Sequence, residues 1–166
     1  MQPDSLKIEG AKFLLTMDPQ RNIIQDASIL VEGQRISMVG KASDMMEVHA
    51  DRVVDASEMV ITPVFCNGHM HISYAHATLG IFPDDLDPGV YLANVFNLQG
   101  AMSEEDEYYT SLLGITELLK YGTTCFLDPG STKFPSACMQ AYEETGCRII
   151  LGAQVVDQPN PLNLPV

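Results

Sequence analysis

The densest chemistry in the chain is Asn67-Gly68-His69-Met70-His71. Residues two apart on an extended strand project to the same face, so this spacing predicts that His69 and His71 point together. Two neutral imidazoles on one face suit a divalent transition metal, zinc first and iron second. Two ligands bind weakly alone, so other segments must complete the shell. The spacing by itself is common, and its meaning depends on the elements around it. His76 follows five residues later and is expected to line a pocket beside the pair. Tyr74 and Phe82 offer flat apolar rings that could border a ring substrate or pack a loop. Gln154 falls near the end of a later apolar run, where an amide could hydrogen-bond a ring carbonyl or amino group. Asp128, in Asp128-Pro129-Gly130, reads as a turn former, and His49 as a solvent-facing residue.

The elements that must carry these residues fall into two parts. Residues 1–58 read as a small β-rich domain, part of a sandwich. Leu6–Glu9, Phe13–Thr16, Ala27–Val31, Arg35–Val39 and Arg52–Asp55 are short strand candidates. Gly10 punctuates the first two, and the Gly33 turn joins a hairpin. Ser43–Val48 reads as a helical turn.

From residue 59 the pattern changes. Met59–Phe65 is a mostly apolar run, as expected of a strand buried in a parallel sheet, although Pro63 argues for an end or bulge within it. Ala75–Met102 reads as a long irregular stretch, with a short helix over Gly89–Leu98. Ser103 with Asp106 has capping-box spacing, and the acidic run Glu104–Glu107 suits a helix start. Tyr109, Leu112, Leu113, Thr116 and Leu119, widened by Ile115 and Leu118, predict the buried stripe of that helix. A strand at Thr123–Leu127, a helix over Pro135–Thr145 closed by Gly146, and strand residues Ile149–Leu151 and Val155-Val156 follow. Strand, helix, strand, helix, strand is the pattern of a right-handed parallel α/β unit, here residues 59–166.

Composition narrows the function. The 166 residues carry 9 Lys+Arg against 22 Asp+Glu, a formal charge of −13. From Val53 to Leu119 there are ten acidic residues and no Lys or Arg. This excludes a nucleic-acid backbone or an anionic membrane as the main partner. No apolar run approaches the ~18 residues of a membrane span, and the N-terminus lacks the pattern of a secretory signal. Cys66, Cys125, Cys138 and Cys147 form no C-x-x-C pair. They read as reduced thiols of a cytoplasmic protein.

Residues 52–71, RVVDASEMVITPVFCNGHMH, resemble the entry to the barrel in the amidohydrolase superfamily. The run Ser103–Asp128 resembles the first helix and second strand of its deaminase and chlorohydrolase-like branch, and Asn67 stands where that branch tends to have Asn. Val64 departs from the glycine usual after the proline. The resemblance implies an α/β fold: the N-terminal part of a (β/α)8 TIM-type barrel preceded by a small β-sandwich-like domain, both incomplete in this chain. It implies that His69 and His71 ligate one divalent metal. That metal would activate a water for deamination or dechlorination of a nitrogen heterocycle, a small-molecule substrate.

A complete barrel needs about 250 residues, so the chain reads as an N-terminal fragment or truncated gene product. Its remaining ligands and proton-transfer groups are expected beyond Val166. Open strand edges predict a homo-oligomer or association with the remainder of the barrel. Two alternatives stand beside this reading: a non-catalytic fragment serving as an assembly or binding module, and a cyclic amidase of the dihydroorotase or hydantoinase kind.

Overall fold

A computed structural model describes residues 4–83 and 85–152. Gln154 and the Val155-Val156 pair lie outside the described residues. The chain divides into two compact units, Met1–Pro63 and Val64–Val166.

The first unit is a five-stranded sheet in the order Arg35–Lys41, Ile23–Glu32, Ser5–Leu15 and Arg52–Asp55, with Val60–Ile61 also on Ser5–Leu15. Strand β1 (Ser5–Leu15) pairs antiparallel with β2 (Ile23–Glu32), which pairs antiparallel with β3 (Arg35–Lys41). Strands β4 (Arg52–Asp55) and β5 (Val60–Ile61) both run parallel to β1. The two strands expected on either side of Gly10 are therefore one. Gly10 has φ +71° and sits at the register shift between Ile8 and Ala11. A left-handed glycine makes a β-bulge as readily as a turn, and here the ladder resumes past it. The helical turn is a 3₁₀ turn at Ala42–Met45. It is tied to β1 by the buried Lys7, whose Nζ donates to the Met45 carbonyl at 2.8 Å. The core is Ala11, Leu14, Ala27, Ile29 and Ala56.

The apolar run Met59–Phe65 is not one strand. Val60–Ile61 joins the first sheet, Pro63 interrupts, and Phe65–Asn67 begins the second as β6. Proline has no N–H to give a ladder, so the run breaks there. The second unit holds a parallel sheet in the order β6-β7-β8, with β7 at Thr123–Asp128 and β8 at Arg148–Leu151.

Between β6 and β7 lie α1 (Ile72–Thr78), α2 (Pro88–Ala101) and α3 (Glu104–Lys120); α4 (Pro135–Thr145) precedes β8. The short helix expected over Gly89–Leu98 is α2, slightly longer at both ends, and α1 takes the start of the stretch expected to be irregular. Asp87 caps α2 by accepting from Gly89 N and Val90 N, and Pro88 sits in its first turn. Apolar residues on all faces of α2 left no stripe to read. The capping box on α3 is formed: Ser103 Oγ accepts from Asp106 N at 3.2 Å, and Asp106 accepts from Ser103 N at 2.8 Å.

The buried face of α3 differs from the expected stripe. Glu107, Ser111, Gly114 and Ile115 are buried, whereas Tyr109 and Leu113 are exposed. Two close packings explain the difference. Gly114 lets α1 approach: a Cβ there would lie 2.8 Å from Ile72 Cδ1. Glu107 is buried because its carboxylate receives the start of α4. Ile72, Ile115, Phe126, Cys138, Ala141 and Tyr142 form the core of this unit.

Candidate metal centre

Strand β6 ends at Asn67, so His69 and His71 stand just past it in a bend. Two contacts shape that bend. Asn67 Oδ1 accepts from His69 N at 3.0 Å, turning the chain over Gly68. Met70 N donates to the Leu127 carbonyl at 2.9 Å, which holds the segment against β7. His71 then opens α1, and its carbonyl accepts from Ala75 N at 3.1 Å.

The two rings converge. His69 Nε2 and His71 Nε2 are 3.0 Å apart, and the ring planes meet edge-on at 77°. Metal–nitrogen bonds of about 2.0–2.1 Å place two ligands of one ion roughly 3 Å apart, so the pair fits shared coordination. Burial, then the neighbouring His69, pushes the His71 pKa below the usual histidine value, partly offset by Asp128. The neutral ring keeps the lone pair that a metal requires. His71 Nδ1 is buried with no hydrogen-bond partner among the described residues. No group of three or more His, Cys, Asp or Glu that could hold a metal occurs among the described residues. The fit is therefore that of a two-ligand portion of a site.

Asp128 ends β7 beside this pair, and its two oxygens are engaged. Oδ1 accepts from Gly130 N at 2.8 Å, making the expected turn, and Oδ2 accepts from Tyr142 Oη at 2.8 Å. Burial, followed by the Asp128 charge, raises the Tyr142 pKa.

His76 does not join the pair. Its Nε2 contacts the Glu117 carboxylate on α3, and its Nδ1 lies where a Cβ on Gly114 would come within 3.0 Å. That contact bonds α1 to α3. Five residues beyond His71, about 1.4 turns on, it lies on a different side of α1 and faces α3. His49 lies in the first unit, after the 3₁₀ turn, and is exposed, as expected.

Glu107 was legible only as part of a helix start. It is fully buried and accepts from Thr132 Oγ1 at 2.5 Å, Lys133 N at 3.0 Å and Phe134 N at 2.8 Å. It thereby anchors the connection that leads away from Asp128. The sequence signal was its lone placement, by i+4 and i+8 steps, on a face with Ser111 and Ile115.

Comparison with known proteins gives the family and the fold. The model of the amidohydrolase family matches residues 60–164. A 5-methylthioadenosine/S-adenosylhomocysteine deaminase of Carboxydothermus hydrogenoformans is 35% identical over 146 residues, covering 87% of this chain and 33% of that protein. A 5'-deoxyadenosine deaminase of Methanobrevibacter smithii is 31% identical, over 78% of this chain and 29% of that protein. Among solved structures, an adenosine deaminase from Xanthomonas campestris with bound zinc superposes with TM-score 0.81 at 26% identity, over 95% of this chain and 35% of that one. Atrazine chlorohydrolase from Arthrobacter aurescens, complexed with zinc, gives TM-score 0.79 at 21% identity, over 95% of this chain and 37% of that one, and shares the fold. The chain spans about a third of the length of the curated relatives it matches. Its parallel unit is the opening part of an amidohydrolase barrel. The chain belongs to the amidohydrolase family.

Proposed function

We propose that the intact protein is a metal-dependent hydrolase that removes ammonia from a nitrogen heterocycle, with His69 and His71 as two ligands of one zinc ion. The observation that carries this reading is the 3.0 Å approach of the two Nε2 atoms at the end of the first parallel strand. Support for deamination over dechlorination comes from the relatives: those at 31–35% identity over most of this chain are named as deaminases of adenosine derivatives. When bound, such an ion lowers the pKa of a water and supplies a nucleophile near neutral pH.

The chain's own residues then have defined tasks. His69 and His71 hold the ion through Nε2. Asn67 fixes the turn that presents His69. Tyr142 and Gly130 hold Asp128 in place at the end of β7, where its charge acts on His71.

The same reading places the protein in the cytoplasm, consistent with its four free thiols. Among the described residues no helix is long and apolar enough to cross a membrane. Phe65, 60% exposed, and Ile150, 61% exposed, support the packing of further protein, the remainder of a barrel, against this unit. A cyclic amidase reading has no comparable support, since the relatives above are named as deaminases.

The test is ammonia release by the intact protein from adenosine derivatives, run beside chloride release from a chlorinated triazine. Ammonia release alone is expected. Chloride release without ammonia would overturn deamination.

A further inference from the structure

We propose that Tyr74 is a positioning residue for His71, and that its ring rather than its hydroxyl fixes the plane of the imidazole. This rests on the reading of His71 as a metal ligand. A histidine on a metal is ordinarily oriented by a hydrogen bond from its second nitrogen to a carboxylate, carbonyl or water. His71 Nδ1 makes no such bond among the described residues. What contacts the ring instead is Tyr74, stacked on it with centroids 5.2 Å apart and planes at 27°. The edge of His69 meets the imidazole at 4.8 Å between centroids. The imidazole is thus confined by one aromatic face and one aromatic edge.

The Tyr74 ring is itself held. It sits on α1, whose neighbours Ile72 and Ser73 are buried and whose Ser73 carbonyl accepts from Thr110 Oγ1 at 2.5 Å. Its hydroxyl makes no hydrogen bond among the described residues. An apolar ring that stacks, with an idle hydroxyl, is replaceable by phenylalanine and not by leucine.

The experiment is metal affinity of the intact protein, by chelator competition with Zn²⁺ and by the visible spectrum of the Co²⁺ form. Variants are Tyr74→Phe, Tyr74→Leu and, as a core control away from the ring, Ile115→Val. Tyr74→Phe should match wild type within about twofold. Tyr74→Leu should bind about 10–100-fold more weakly, with an altered cobalt spectrum, while Ile115→Val keeps both. Equal affinity and spectrum in wild type and Tyr74→Leu would overturn the proposal, as would equal losses in Tyr74→Phe and Tyr74→Leu or a like loss in Ile115→Val. A wild-type protein that takes up no metal would overturn the ligand reading of His71 and this proposal with it.

Discussion

The carboxylate of Glu107, on α3, accepts the backbone N–H of Phe134 at 2.8 Å, 27 residues further along the chain. Phe134 opens α4 and supplies no side-chain cap of its own. A buried anion on a neighbouring helix thus does the work of an N-cap, where helix N–H groups and the dipole favour negative charge. Lys133 N and Thr132 Oγ1 share the same carboxylate. Lys133 Nζ reaches Gly100 O at 2.8 Å, which ties the connection to α2 as well.

Glu107→Gln replaces one acceptor oxygen with a donor that faces other donors. Leaving buried N–H groups unpaired costs about 1–3 kcal/mol each. Urea unfolding should show a loss of about 2–3 kcal/mol in the second unit. An unchanged midpoint would mean that the carboxylate is not the cap.

Gly114→Ala should also destabilise, against its helix propensity. Alanine gains about 1 kcal/mol over glycine inside a helix. Here its Cβ would fall 2.8 Å from Ile72 Cδ1 and 3.0 Å from His76 Nδ1. Forcing α1 away costs about 1–3 kcal/mol. The expected thermal midpoint lies below wild type, and a higher midpoint would show that α1 yields freely.

Stability should decline above pH 9. Burial pushes the Cys138 thiol above its ordinary value of 9.0, and the Glu107 and Asp128 charges add to this, while the Ser111 and Thr132 hydroxyls oppose it. A group held protonated in the fold contributes its full stability below the unfolded pKa and loses it as pH rises toward the folded one. Tyr142 acts in the same direction from its ordinary value of 10.0. Urea midpoints between pH 8 and 10 should fall in wild type and fall less steeply in Cys138→Ala. Parallel slopes would rule Cys138 out as the source.

Local chemistry made much of the fold readable. Ser103 and Asp106 announced α3 three residues apart. Gly146, at φ +65°, closes α4 where a left-handed residue was expected. The Glu32↔Arg35 pair closes the hairpin around Gly33. What escaped was decided by tertiary contact. Gly10 has the same chemistry in a bulge as in a turn. Helix α2 was legible over Gly89–Leu98, but its full length was not, because apolar residues lie all round it and leave no stripe. The buried side of α3 is marked by a glycine, a serine and a glutamate, which no apolar pattern reveals. His69 and His71 were legible from residue type and spacing. The Met70–Leu127 hydrogen bond that holds their segment against β7, and the Glu117 contact made by His76, depend on neighbours distant in sequence.

Metal content of the intact protein, purified without chelators, bears most directly on His69 and His71. Wild type should hold about one divalent ion per chain, with zinc predominant. His69→Ala and His71→Ala should each lose it while remaining folded by circular dichroism. A wild type without metal, or folded variants that keep a full complement, would contradict the assignment of these two histidines as ligands.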